Sequence, residues 1–124
     1  RGYFETFKGV SMSWVMIAGP YSSGGANPAQ WAANLTAMNA AALAVFEKVH
    51  TPVIGVNMAL PIINLAGEDR FEEIMMPVSL ALADRCDAIL RIGGVSAGAD
   101  QEVERMKAAG KQVFRCVDDV PIIS

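Results

Sequence analysis

The chain has 124 residues, of which 52% are hydrophobic and 19% charged, enough apolar material for one compact domain with a single core. Its formal net charge of −3 at pH 7 argues against a broad basic surface for a nucleic acid polymer or an anionic membrane. No apolar run reaches the roughly 18–20 residues of a membrane span and no cleavable signal is visible, so a cytoplasmic protein is expected.

Residues 1–12 share no periodicity with the rest of the chain and are interpreted as an N-terminal extension to a single domain over residues 13–124. The apolar run Trp14–Ala18 predicts a strand buried on both faces, which Gly19-Pro20 ends. Asn27 then predicts a helix N-cap, with Pro28 in the first turn. One apolar face of that helix recurs at spacings of three and four: Trp31, Leu35, Met38, Ala42, Val45 and Val49.

The middle of the chain has weaker patterns. The helix is expected to end at His50-Thr51-Pro52, and residues 53–56 predict a second strand. Residues 57–70 predict an irregular segment with room for a short helical turn. A second helix is predicted from Phe71 to Cys86, with a kink or restart at Pro77.

The last part of the chain repeats the strand and helix pattern. Residues 88–92 predict a third strand, and a glycine-rich turn leads to a helix over residues 99–109 that ends at Gly110. Residues 112–115 predict a fourth strand. Alternating strands and helices predict an α/β fold with a doubly wound parallel sheet and helices on both faces.

Ligands of such sheets bind beyond the carboxyl ends of the strands, so the loops after the first and third strands should line one crevice. Neither "AGPYSSGG" nor "GGVSAGAD" is a P-loop or a G-x-G-x-x-G motif, which disfavours ATP and dinucleotides. Ser96 and Gly98 are placed to hold a phosphate or sugar oxygen, although capping of the following helix by Ser96 or Gly98 is the simpler interpretation.

Glu102 is predicted in the first turn of that helix, facing the crevice. It is a candidate for chemistry at a bound ligand. The alternative is a surface glutamate that the helix dipole and an ion pair with Arg105 stabilise.

Other reactive residues have simpler structural interpretations. Cys86 and Cys116 are expected to be buried reduced thiols, and with the single histidine, His50, they form no metal-binding pattern. Trp31 is expected in the core, while Tyr21 suits either packing or stacking on a base at the mouth of the crevice. No metal or cofactor is predicted.

Three segments in order, "MIAGPYSSGG", "LADRCDAIL" and "GGVSAGADQEVERMKAAGKQVF", resemble the nucleoside 2-deoxyribosyltransferase superfamily, including its deoxynucleotide N-glycosidase branch and small uncharacterised members. The resemblance covers roughly residues 14–115. It implies a flavodoxin-like sheet of four to five strands, a homo-oligomer whose subunits share sites, and a nucleoside or nucleotide as the small-molecule partner.

The resemblance also implies roles for individual residues. The family's glutamate nucleophile matches Glu102, which would attack the anomeric carbon through an oxocarbenium-like transition state. The family's first loop contacts the sugar and its 5′ substituent, and it matches Gly19, Pro20, Tyr21, Ser22 and Ser23. Ser96 and Gly98 match the loop that holds a 5′-phosphate in the nucleotide-cleaving branch.

The chain departs from the family at the group that assists departure of the base. The family uses an aspartate there, and the matching residue is Ser79, which cannot act as a carboxylic acid. Asp69, Glu72 and Glu73 are the nearby candidates to replace it. The first loop also lacks the arginine of the nucleotide-cleaving branch. Asp87 resembles an aspartate just before the family's third strand and is on that ground a candidate ligand-binding residue, although a structural role in the helix-to-strand turn is the favoured interpretation.

These patterns favour an N-glycosidase or deoxyribosyltransferase that uses Glu102. A non-catalytic module that binds a nucleotide is the alternative, and Ser79 favours it. A phosphate-receiving signalling domain ranks last, because "MIAGPY" has no acidic residue at the end of the first strand and Asp118 and Asp119 follow the fourth strand instead.

Overall fold

The computed structural model describes residues 13–22 and 27–122, which form a four-stranded parallel sheet flanked by four helices. The strands are β1 (Trp14–Ala18), β2 (Thr51–Val53), β3 (Ala88–Arg91) and β4 (Gln112–Phe114). The helices are α1 (Pro28–Glu47), α2 (Gly55–Ala66), α3 (Phe71–Arg85) and α4 (Ala97–Ala108). The predicted N-terminal extension, residues 1–12, lies outside the described residues.

The strands lie in the order β2-β1-β3-β4, and all neighbours are parallel. Met16 in β1 pairs with Val53 of β2 on one side and with Ile89 of β3 on the other. From β1 the chain continues to β2 on one side of it, and then crosses to β3 and β4 on the other side. The strand order reverses between β1 and β3, so a topological switch point lies between their carboxyl ends. This confirms the predicted flavodoxin-like, doubly wound α/β fold.

Alternate residues of β1 and β3 supply two cores, one on each face of the sheet. On one face, Val15, Ile17 and Leu90 pack against Met38 and Val45 of α1. The other face buries Met16 and Ile89 against side chains of α3 and α4, namely Ala83, Val103 and Met106. Burial on both faces explains why these short strands are almost entirely apolar.

The segment after β2 differs from the sequence-based prediction. The strand occupies Thr51–Val53, and Gly55 already begins the twelve-residue helix α2, which was predicted as strand and irregular chain. Pro61 lies inside α2, and a proline normally argues against a helix interior because it lacks an N–H group. Packing of Ala59 and Ile63 against Met75 of α3 outweighs that local preference.

The other helix ends follow local capping chemistry. Asn27 caps α1 by accepting a hydrogen bond from the Gln30 N–H, as predicted, with Pro28 in the first turn. The helix α3 runs unbroken through Pro77, so no restart occurs. Gly110, with φ of +74°, follows the end of α4 in the left-handed conformation that glycine favours.

The two cysteines and the histidine have different environments. Cys86 is buried and free, and burial raises the pKa of its thiol to about 11. Cys116 is free but exposed, so its predicted burial is wrong. His50 is buried, where its Nδ1 accepts the Ser13 N–H at 3.2 Å and its Nε2 donates to the Pro121 carbonyl at 2.7 Å, a structural role.

Within residues 13–22 and 27–122, no helix combines the length and apolar character needed to cross a bilayer.

Candidate functional site

A cavity of about 330 Å³ opens at the carboxyl ends of β1 and β3. Gly19, Tyr21 and Ser22 line it from the loop after β1. Ser96 and Gly98 line it from the loop after β3 and the start of α4. The structure thus brings the two glycine-rich loops to one crevice, at the switch point where the fold predicts a ligand.

Glycines allow the two loops to approach each other closely. A Cβ atom at Gly19 would lie 3.0 Å from the Ile92 carbonyl oxygen. One at Gly93, whose φ is +77°, would lie 2.7 Å from Cδ of Pro20. Pro20 therefore packs against the second loop and supports the cavity wall. It is not among the residues that line the cavity.

Ser96 both caps α4 and lines the cavity. Its hydroxyl oxygen accepts a hydrogen bond from the Ala99 N–H at 3.1 Å, which confirms the capping interpretation. The hydroxyl can still donate its own hydrogen to a ligand.

Glu102 is buried at the cavity wall, with only 8% of the residue exposed. Because α4 begins at Ala97, Glu102 lies in its second turn, one turn later than predicted. Arg105 does not pair with it but with Asp84, at 2.8 Å. The interpretation of Glu102 as a surface ion pair is therefore wrong.

Burial raises the pKa of Glu102 from 4.5 to about 7, because the surrounding protein disfavours the charged carboxylate. Hydrogen bonding by the Ser79 hydroxyl and the positive charge of Arg91 oppose this effect. Glu102 is consequently divided between acid and carboxylate near neutral pH, and a strongly shifted carboxyl in a cavity is a candidate functional group.

Arg91, which the sequence analysis did not single out, organises the loop after β3. Its buried guanidinium donates to the carbonyls of Ile92 at 2.6 Å and Gly94 at 2.9 Å, and pairs with Asp100 at 3.1 Å. It thereby holds the loop against the first turn of α4. An arginine at the end of an otherwise apolar strand, separated by one residue from Gly93 and Gly94, was the sequence signal for this role.

Ser79 lies buried in the cavity wall between Glu102 and the start of α2. A Cβ atom at Gly55 would fall 2.4 Å from the Ser79 hydroxyl oxygen, so the two backbones are in close contact. The small serine side chain fits this contact, and a carboxyl in its place would be a second acid beside Glu102.

The three candidate replacements for the family's aspartate lie in different places. Glu72, in the first turn of α3, lines the cavity, whereas Glu73 is bound to Arg70 at 2.7 Å. Asp69, in the short 3₁₀ helix before α3, does not line the cavity. Glu72 and Glu102 are thus the two carboxyl groups among its described lining residues.

Asp87 is not brought to this cavity. Its carboxylate accepts the Trp14 N–H at 2.9 Å and its own N–H donates to the Trp14 carbonyl at 2.8 Å. Both contacts lie where β1 and β3 begin, at the end of the sheet opposite the cavity. This geometry supports the structural alternative for Asp87.

Two aromatic residues meet beside the first loop. The rings of Tyr21 and Trp31 are 6.0 Å apart and inclined by 40°. Trp31 is half-buried, and its indole Nε1 is buried without a hydrogen-bond partner among the described residues. Tyr21 also lines the cavity, so a ligand there would alter the surroundings of Trp31. Ser23, predicted to bind the same ligand, lies outside the described residues.

The cavity has a polar side and an apolar side. Hydroxyls of Tyr21, Ser22 and Ser96 lie on the loop side, and α3 supplies Phe71, Met75 and Met76. Such a lining suits a ligand with a hydroxylated part and a flat apolar part. Among the described residues no group of three or more histidine, cysteine, aspartate or glutamate side chains is arranged to hold a metal ion.

No family model matches the chain, and no curated protein matches it either.

Proposed function

We propose that this protein cleaves or exchanges the N-glycosidic bond of a nucleoside, nucleotide or related ribosylated compound, with Glu102 as the nucleophile. The observation that carries the proposal is a single buried carboxyl in a cavity built by the loops after β1 and β3. The fold is also the one implied by the resemblance to nucleoside 2-deoxyribosyltransferases.

The cavity supports a ligand made of one sugar and one base. Its volume of about 330 Å³ is at the lower end of the roughly 300–1,000 Å³ typical of ligand sites. The hydroxyls and backbone of the loops would bind the sugar, and the apolar side chains of α3 would contact the base.

The chemistry follows from the carboxyl group. The ionised Glu102 attacks the anomeric carbon, the base departs, and water or a second base then releases the sugar from the glycosyl ester. A carboxylate close to that carbon also stabilises the positive charge of the oxocarbenium-like transition state. Ser79 and Arg91 assist because both favour the charged form of Glu102.

The first test is chromatographic detection of free base from a panel of ribonucleosides, deoxyribonucleosides and their 5′-monophosphates. Glu102→Gln removes the nucleophile with almost no change of shape, and we expect it to abolish release. Glu104→Gln is the matched control, because Glu104 lies on the same helix with a 73% exposed side chain near Lys107. Release that survives Glu102→Gln would contradict the proposed role of Glu102.

A non-catalytic module that binds a nucleotide is the second candidate, and Ser79 in place of the family's aspartate favours it. The two candidates differ in a simple way. The module would bind members of the panel, detected by the fluorescence of Trp31 beside Tyr21, without releasing base. The enzyme would release base and lose that release with Glu102→Gln.

The proposal includes a cytoplasmic location and a homo-oligomeric state. Cys86 and Cys116 are both free thiols, which is the usual state of cysteines in a reducing compartment.

A further inference from the structure

Cleavage of an N-glycosidic bond leaves an electron pair on the base, and a neutral base departs readily only when it also receives a proton. Glu102 cannot supply that proton while it acts as the nucleophile. Ser79 cannot supply it either, because a hydroxyl is far too weak an acid. The proposed reaction therefore needs a second acid in the cavity.

Glu72 is the remaining carboxyl in the described cavity lining. Glu73, its neighbour, is held by Arg70 through two hydrogen bonds of 2.7 and 3.2 Å. Glu72 makes no hydrogen bond or ion pair with other described residues, so its carboxyl is available to a ligand.

The helix α3 places Glu72 at a useful distance from the nucleophile. Ser79 follows Glu72 by seven positions, which is close to two full turns, so both lie on the same face of α3. The rise between them is about 10 Å, at roughly 1.5 Å per residue. Since Ser79 is adjacent to Glu102, Glu72 lies farther along the cavity, where the outer edge of a base attached to the anomeric carbon would be.

Met75 and Met76 lie between these two positions on α3 and also line the cavity. Together with Phe71 they provide an apolar surface for a flat ring between the two carboxyls. The Glu72 side chain is exposed, and a ring in this position would cover it.

We propose that Glu72 is the general acid that protonates a ring nitrogen of the departing base. This inference rests on the proposed function. The substrates it indicates are nucleosides whose base has a basic ring nitrogen on the edge away from the sugar, as the purines have.

The proton and the electrons balance over two steps. An oxygen of the Glu102 carboxylate bonds to the anomeric carbon while the carbon–nitrogen bond breaks. The electron pair of that bond goes to the base, and the Glu72 proton goes to a ring nitrogen. Water then displaces Glu102 from the anomeric carbon, and the proton that the water loses returns through solvent to Glu72.

The test compares a base that needs a proton with one that does not. Guanosine and deoxyguanosine need one, whereas their 7-methyl derivatives carry a positive base that departs without it. Glu72→Gln should lower kcat on the unmethylated nucleosides by roughly 10²–10⁴-fold with little change in KM. On the 7-methyl nucleosides, after subtraction of spontaneous release, the same variant should keep its rate to within about threefold of the native protein's.

Two controls separate the failure of this inference from the failure of the proposed function. Glu73→Gln removes the neighbouring carboxyl outside the cavity and should leave all rates unchanged. Glu102→Gln should stop release from both kinds of nucleoside. If the native protein releases base from other members of the panel but releases neither guanine nor 7-methylguanine, the assignment of purine substrates fails. If it releases base from no member of the panel, the proposed function fails.

If Glu102→Gln stops release while Glu72→Gln leaves guanine release intact, only the assignment of Glu72 fails. Equal losses by Glu72→Gln on both kinds of nucleoside would also overturn it, since a structural defect does not depend on the leaving group. Circular dichroism and thermal unfolding of each variant establish that the fold is retained.

Discussion

Among single residues, Glu102 occupies an environment that opposes its own charge. Burial raises the pKa of its carboxyl to about 7, and the Ser79 hydroxyl and Arg91 reduce the effect without removing it. The unfolded chain has no such environment, so its Glu102 ionises near the ordinary value of 4.5. The difference links protonation of this residue to the stability of the fold.

This linkage predicts a dependence of stability on pH that needs no knowledge of the substrate. Between pH 4.5 and about 7 the folded protein retains a proton that the unfolded chain has lost. The contribution of Glu102 is therefore fully present below pH 4.5 and is lost as the pH rises through about 7. The shift corresponds to about 3 kcal/mol.

Glu102→Gln isolates this contribution, because the variant keeps the shape of the protonated form and does not titrate. Its free energy of unfolding relative to the native protein should increase by about 3 kcal/mol between pH 4.5 and pH 8. Urea unfolding at several pH values measures that difference, and titrations elsewhere in the chain cancel. A difference that is constant across this range would show that Glu102 is not buried in the way described.

At the scale of elements, the packing contact between the start of α2 and the middle of α3 shapes the cavity wall. Gly55 begins α2 directly against Ser79, and no residue with a Cβ atom fits without movement of one of the two helices. The position of α2, and with it Val56 in the cavity lining, therefore depends on a glycine at this contact.

Gly55→Ala should lower the free energy of unfolding by about 1–3 kcal/mol, the usual effect of overpacking a buried contact. Alanine favours a helix more than glycine does, so any loss comes from the steric contact. Gly94→Ala is the control, because nothing lies within 4 Å of a Cβ atom there. Thermal unfolding of both variants measures the loss of stability caused by Gly55→Ala. Equal stability of the two variants would contradict the described packing.

The elements that the sequence predicted well are those with local chemical signals. Asn27 with Pro28 marks the start of α1, Ser96 caps α4, and Gly110 ends it. The helix α2 was missed because it has no charged residue to reveal a polar face and contains Pro61, so only its packing against α3 stabilises it. Nothing in the local sequence encodes that contact.

The candidate site could be predicted only in part, for the same reason. Glycine-rich loops after two strands indicate a shared crevice, because parallel strands bring their carboxyl ends together. The burial of Glu102 and the cavity position of Glu72 depend on how α3 packs against α4, and a helical glutamate near Arg105 looks exposed in the sequence. Ligand binding by Asp87 was suggested by the resemblance alone, and a residue just before a strand lies at the end of the sheet opposite the cavity.

At the scale of the whole molecule, α2 carries an uncharged apolar surface. Met58, Ile62 and Leu65 recur at helical spacing and are all exposed, and α2 contains no charged residue. If the proposed homo-oligomer forms, this α2 surface is the predicted contact with the second copy of the chain. Two such surfaces can meet without burying an unpaired charge, although the chain carries a net charge of −3.

Leu65→Lys tests this assignment, because Leu65 is 91% exposed and its replacement leaves the cores intact. A lysine there would bring an unpaired charge into the contact, so the native assembly should dissociate toward monomers. Val95→Lys is the matched control, since Val95 is 90% exposed but lies in the loop after β3. Light scattering during size-exclusion chromatography gives the mass of the native protein and of the two variants. A monomeric native protein would overturn the homo-oligomer, whereas an assembly unchanged by Leu65→Lys would place the contact away from α2.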